Sequence, residues 1–195
     1  PKEQLEVMTQ VGIQEALWYM HRKLGGRAGG GAQIQGYLNA SGSRIAQSTA
    51  LAIWAFTING RLPAYPPNSL DAHGQTIPDG WEEENLIRWR LDPYSETVSR
   101  MVNYVMGNSG GRSGVTGDDE SNTCDLNGTQ CARLPSSVAG QGAYVNGGSN
   151  YTYSHGVNTG ALATVLPALA GTPIQTGTLR GQLWEGFVQD QVDYL

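Results

Sequence analysis

The stretch Tyr144 to Asn158, YVNGGSNYTYSHGVN, gathers the chain's densest set of groups able to recognise or transform a polar substrate. Aromatic faces stack on sugar rings, amides bond hydroxyls, and a tyrosine with a histidine can move protons on a uronic acid. As a binding surface the stretch would use Tyr144, Asn146, Tyr151, Tyr153 and His155, with Asn150 and Asn158 alongside. As a catalytic one it would use His155 and Tyr153, with Arg44 or Arg112 holding the substrate carboxylate. The plain structural alternative is that His155 caps or packs at the start of a buried helix while the tyrosines seal a loop to the core.

A second stretch, Thr116 to Cys131, TGDDESNTCDLNGTQC, holds both cysteines of the chain. The turn-forming residues between Cys124 and Cys131 bring the two together, and in an oxidising compartment they would close a disulfide. Loop-closure entropy makes so short a ring worth about 2 to 3 kcal/mol. None of His21, His73 and His155 is near in sequence, so a zinc pair lacks its further ligands. Asp118, Asp119, Glu120, Asp125 and Asn127, with Asn122, offer the hard oxygens that calcium takes. Their spacing is not that of an EF-hand, and a solvated acidic loop is the alternative reading; calcium is the one cofactor the sequence suggests. Trp81 and Trp89 flank a third group, Glu82 to Glu84, read either as part of a partner surface or as acids suiting the positive end of a short helix.

These stretches depend on helices to position them. From Lys2 to Leu24 the apolar residues Leu5, Met8, Val11, Leu17, Met20 and Leu24 recur at helical spacing, and the helix should stop at Gly25-Gly26. A glycine-rich loop through Gly36 leads to RIAQSTALAIWAFTIN, apolar nearly all round and so predicted to be buried on several faces. An irregular segment, 60–91, follows, punctuated by Pro63, Pro66, Pro67 and Pro78. Asp92 then reads as an N-cap and Pro93 as the first helical residue of a helix ending at Gly107, with Tyr94, Val98, Met101, Val102 and Val105 as its apolar positions. A second long loop, 108–150, gives way to SHGVNTGALATVLPALAG, a small-residue helix that ends or kinks near Pro167, and LRGQLWEGFVQDQVDYL forms the last helix.

Set side by side, the amphipathic segments EALWYM, RMVNYVM and DQVDYL alternate with the buried segments STALAIWAFTINGR and NTGALATVLPALAGT. That alternation is the grammar of helical hairpins stacked so that each buries its neighbour. On STALAIWAFTINGR, DPYSETVSRMVNYVM and YSHGVNTGALATVLPAL the chain resembles the α/α-toroid family of prenyltransferase and squalene-cyclase repeats, nearest to large secreted bacterial proteins of that type. The resemblance implies an all-α fold of α/α-toroid-like hairpin repeats, about half a toroid, interrupted by the two long irregular loops. It carries over none of the family's chemistry: GDDES lacks the cyclases' DxDD spacing, neither cysteine has the histidine of the zinc enzymes, and the thioester sequence GCGEQ is absent. Polysaccharide lyases on such toroids use the residue types of the first stretch, which is analogy without a motif match.

Composition narrows the function. Charged residues make up 15% of the chain against about a quarter in an average soluble protein, and the surface is rich in Asn, Ser, Thr, Gly and Tyr. That points to a secreted, cell-surface or periplasmic setting. A net charge of -5 with no basic run argues against nucleic acid, and no apolar run approaches the about 20 residues a membrane span needs. Beginning at Pro1 and ending at Leu195 within a helical pattern, the sequence reads as one helical-repeat region, 1–195, of a longer chain. The expected function is a non-catalytic structural or binding module of a secreted or cell-surface bacterial assembly. Its partners would be other proteins, the rest of its own chain, or glycan. The alternative is a glycan-active, lyase-like enzyme or an isoprenoid-active one on the same scaffold.

Overall fold

The computed structural model describes residues 2–28, 34–38, 45–64, 81–107, 109–111, 143–145, 152–174 and 183–193. These residues are mostly helical. The helices are α1 (Lys2–Lys23), α2 (Ile45–Thr57), α3 (Trp81–Leu91), α4 (Ser95–Gly107), α5 (Thr152–Ala163), α6 (Leu166–Leu169) and α7 (Trp184–Asp193). Two short antiparallel hairpins accompany them, β1 (Gly25–Ala28) with β2 (Ile34–Tyr37), and β3 (Ser109–Gly111) with β4 (Ala143–Val145).

Local chemistry explains the helix ends. Asp92 Oδ1 accepts the backbone N–H of Tyr94 at 2.9 Å, the N-cap bond expected from the sequence, and helical bonding begins with Val98 N–H donating to the Tyr94 carbonyl. Asp92 N–H also donates to the Arg88 carbonyl, so one residue closes α3 and opens α4. At the end of α2 the chain turns at Gly60, φ 75°, with Gly60 N–H donating to Thr57 and Arg61 N–H to Phe56. Those two bonds form a Schellman motif, which needs a left-handed residue that glycine supplies without strain. Pro167 lies in the first turn of α6, directly after α5, as the sequence predicts.

Helix α2 lies centrally, against α5 on one side and α4 on another. Trp54 of α2 lies against Gly160 of α5 at a distance one added carbon would occupy, and one turn further on Thr57 meets Thr164. The contacts advance in the same sense along both helices, so α2 and α5 run parallel. Phe56, late in α2, meets Tyr94, just before α4, with ring centroids 5.4 Å apart, so the end of α2 lies at the start of α4. Phe56, Ile53, Val98, Met101, Val105, Leu162, Leu169, Trp184 and Phe187 make one continuous core.

Three expectations need correction. The glycine-rich segment before Gly36 is not a plain loop: Gly25 to Ala28 pairs with Ile34 to Tyr37, and β2 lies along α4 with Tyr37 and Tyr104 rings 5.1 Å apart. The segment 60–91 is not irregular throughout, because α3 occupies its last part and puts Glu82 to Glu84 in a first turn, as the electrostatic reading of those acids has it. α4 is not an outer helix with one wet side: Met101 through Met106 are all buried, because β2 covers the face that α2 does not. α2, by contrast, is buried on several faces as expected, against α5, α4, α1 and β2, and leaves one side exposed at Leu51, Trp54 and the following Ile58. In the loop 108–150, the paired strands β3 and β4 bring its two ends together.

Candidate functional site

The residues singled out from sequence fall unevenly on this fold. Tyr144 lies in β4, and Tyr153 and His155 lie in the first turns of α5. Positions 153 and 155 are two apart on a helix and so do not share a face. Asn146 and Tyr151 lie outside the described residues, as do Asp118, Asp119, Glu120, Asp125 and Asn127, the calcium candidates, and Cys124 and Cys131. Arg44 and Arg112 are outside them too. Asn158, the last member of the first stretch, is fully buried in α5, and neither atom of its amide has a hydrogen-bond partner among the described residues.

The structure assembles a different cluster, which no sequence stretch announces. Trp18 and His21, one turn apart on α1, stack with centroids 5.1 Å apart. His21 Nδ1 lies 2.6 Å from Thr97 Oγ1 of α4, and its ring meets the edge of Tyr94 at 5.7 Å. The Arg61 guanidinium also lies over Tyr94, 5.3 Å from the ring centroid, and reaches Asp92 Oδ1 at 3.6 Å. Cation, ring, imidazole and indole thus line up across the end of α2, the start of α4 and the end of α1. Asp92 serves both as cap and as counter-ion, and Tyr94 meets Arg61, His21 and Phe56 together.

This arrangement fastens elements together. His21 Nδ1 meets Thr97 and Arg61 Nη1 meets Asp92, the geometry of a lock between α1, α4 and the end of α2. Ser99 acts similarly nearby, its hydroxyl bonding the Ala64 backbone on both its N–H and its carbonyl. No group of acidic, His or Cys side chains that could hold a metal stands together among the described residues. Only Trp18 carries the cluster outward, with about half its surface exposed.

Two apolar surfaces stand out beyond this lock. One is the side of α2 formed by Leu51, Trp54 and Ile58, the last 69% exposed. The other is on α1, where Val7, Met8, Val11, Trp18 and Tyr19 face away from the core. The α1 stripe was partly visible in the sequence as the spacing of Leu5, Met8 and Val11, but spacing alone did not say that the core would take the opposite side.

Fold and surface together define a mostly helical protein, braced by an Arg-Tyr-His-Trp stack and bearing uncovered apolar helix faces. No protein-family model, no curated protein and no solved structure matches the chain.

Proposed function

We propose that the protein is a non-catalytic structural or binding module of a secreted or cell-surface bacterial assembly, built on toroid-like helical hairpins. The observation that carries this reading is α2, a helix without a single charged residue whose Leu51, Trp54 and Ile58 side is uncovered. Contiguous apolar surface of this kind marks a place where more protein packs. The parallel run of α2 and α5, with the start of α4 against the end of α2, supports a hairpin array in which α2 and α5 are neighbouring inner helices. In such an array the Leu51, Trp54 and Ile58 side is the one turned to further repeats or a partner. Ala52, Phe56 and Leu162, the residues that an isoprenoid cavity would have to spare, are buried in the continuous core, which favours packing over a hollow centre.

The low charge content and the cysteine pair of the sequence support an extracytoplasmic setting, with calcium in the acidic loop as a further proposal. The reading is tested with an environment-sensitive apolar dye. The native chain should bind it strongly, and the Leu51→Glu, Ile58→Glu double variant should lose the share of binding that the α2 side supplies, keeping that of α1 and its helical circular dichroism. Turnover of a polyuronate, followed by ultraviolet absorbance of the unsaturated product and abolished by His155→Ala, would overturn the non-catalytic reading in favour of a lyase.

A further inference from the structure

Helix α1 is apolar on two opposite sides. Ile13, Leu17, Met20 and Leu24 pack on the core. At about 100° per residue, Val7, Met8, Val11, Trp18 and Tyr19 fall on the reverse side, where Val7 is 63% and Met8 64% exposed. A surface helix that meets a single core needs one apolar stripe. The second stripe on α1 calls for a second neighbour.

We propose that this reverse side is a self-association surface, on which α1 of a second copy of the chain packs antiparallel about a two-fold axis. Three features of α1 select that occupant and that direction. The first is size matching. The N-terminal half of the face is aliphatic, Val7, Met8 and Val11, and the C-terminal half is aromatic, Trp18 and Tyr19. An antiparallel pair lays each aliphatic half on the partner's aromatic half, whereas a parallel pair sets ring on ring. An isologous two-fold contact gains every such pairing twice.

The second is charge. The first turns of α1 carry Glu3 and Glu6 against a single cation, Lys2, which pairs with Glu6, and its last turn carries His21, Arg22 and Lys23. Antiparallel packing brings the acidic end of one copy to the basic end of the other and opposes the helix dipoles; parallel packing sets like against like. Glu15 and Arg22 lie on the same side, and their long stems can cover apolar surface while the charged heads reach water.

The third is preorganisation. Trp18 is exposed yet held: it stacks on His21, whose Nδ1 is bonded to Thr97 of α4. An anchoring indole that is already fixed loses little side-chain freedom on binding, and tryptophan is the commonest residue at the energetic centre of interfaces. Gly12 leaves open space beside the stripe, so the partner helix meets no obstruction there.

A single helix pair is a small interface, so the dimer forms in the micromolar range. It goes beyond the binding-module reading, which rests on α2, and either can fail without the other.

Sedimentation equilibrium of the intact chain from low to high micromolar concentration tests it. Concentration-dependent dimer is expected, with the dissociation constant raised at least about tenfold by Met8→Glu with Val11→Glu, and similarly by Trp18→Ala. Circular dichroism and the unfolding midpoint of the Met8→Glu, Val11→Glu variant should match the parent, because neither side chain touches the core. Neutralising the basic end, Arg22→Gln with Lys23→Gln, should weaken the dimer, since an antiparallel pair loses attraction there and a parallel pair loses repulsion. A chain that stays monomeric, a dimer indifferent to Met8→Glu with Val11→Glu, or one tightened by Arg22→Gln with Lys23→Gln overturns the proposal.

Discussion

Thr57 Oγ1 and Thr164 Oγ1 lie 2.7 Å apart and join α2 to α5 at their C-terminal ends. Each hydroxyl is also within reach of a carbonyl in its own helix, Thr57 to Trp54 at 3.1 Å and Thr164 to Ala161 at 2.6 Å. The two hydroxyls have two protons for three contacts, so one of the three bonds is always missing. Thr57→Val keeps the shape and leaves Thr164 its bond to Ala161. The expected cost is therefore about 1 kcal/mol or less. The Thr57→Val, Thr164→Val pair should cost less than the sum of the single changes, because both remove the same inter-helix bond. Urea unfolding of the four proteins in this cycle measures the coupling. Strict additivity would show that the hydroxyls are not partners.

Asp92 holds the junction of α3 and α4 in two ways, as the N-cap of Tyr94 N–H and as the counter-ion of Arg61. Asp92→Ala removes both and should lower stability by about 1 to 2 kcal/mol, mostly from the cap. Asp92→Asn keeps a capping oxygen and loses the charge. The Arg61 side chain is a third exposed, and an ion pair open to solvent to that degree is worth under about 1 kcal/mol, so the asparagine variant should stay close to the parent. An asparagine variant as damaged as the alanine one would mean that the Arg61 pair, and not the cap, holds the junction.

The start of α4 was legible, though α3 was not, because its signals are local. Asp92-Pro93 followed by apolar residues at helical spacing needs only a few consecutive positions, as does the Asn59-Gly60 ending of α2. The hairpin of β1 and β2 was hidden for the opposite reason. Its strands are GGRA and IQGY, with no alternation to read, and their pairing is held by packing on α4. The stack of Arg61, Tyr94, His21 and Trp18 was illegible too, since it joins three distant segments; His21 and Thr97 alone are 76 positions apart. Nor can periodicity say which apolar side of α1 meets the core, when both sides carry stripes. The residue types of the Tyr144 to Asn158 stretch suggested a site, but chemistry needs convergence, which types alone do not give.

Gly36 is required by close approach. A carbon added there would lie 2.6 Å from Leu24 Cδ2, 2.9 Å from Leu24 Cγ and 3.1 Å from Arg100 Cβ. Leu24 can yield only by shifting within its place against the core. Gly36→Ala should therefore push β2 off α4 and cost about 1 to 3 kcal/mol, the usual range for overpacking. Gly12→Ala is the control, since open space surrounds that position and alanine favours helix there by about 1 kcal/mol. Thermal unfolding should move the two variants in opposite directions. A destabilised Gly12→Ala, or an unaffected Gly36→Ala, would contradict the packing described.

Asn158 offers the sharpest test of whether the Tyr144 to Asn158 stretch is built for binding or for packing. Its side chain is fully buried in α5, and neither amide atom is satisfied among the described residues. Leaving a buried amide unpaired costs about 1 to 3 kcal/mol, while a leucine of similar size pays no such penalty. If the amide serves only packing, Asn158→Leu should raise stability by about 1 kcal/mol, seen as a higher denaturant midpoint with an unchanged slope. Asn158→Ala should instead lower it, because the lost atoms leave a gap at a fully buried position. A leucine variant that is less stable than the parent would show that the amide bonds a buried water or a polar ligand, and would return this part of α5 to the list of recognition surfaces.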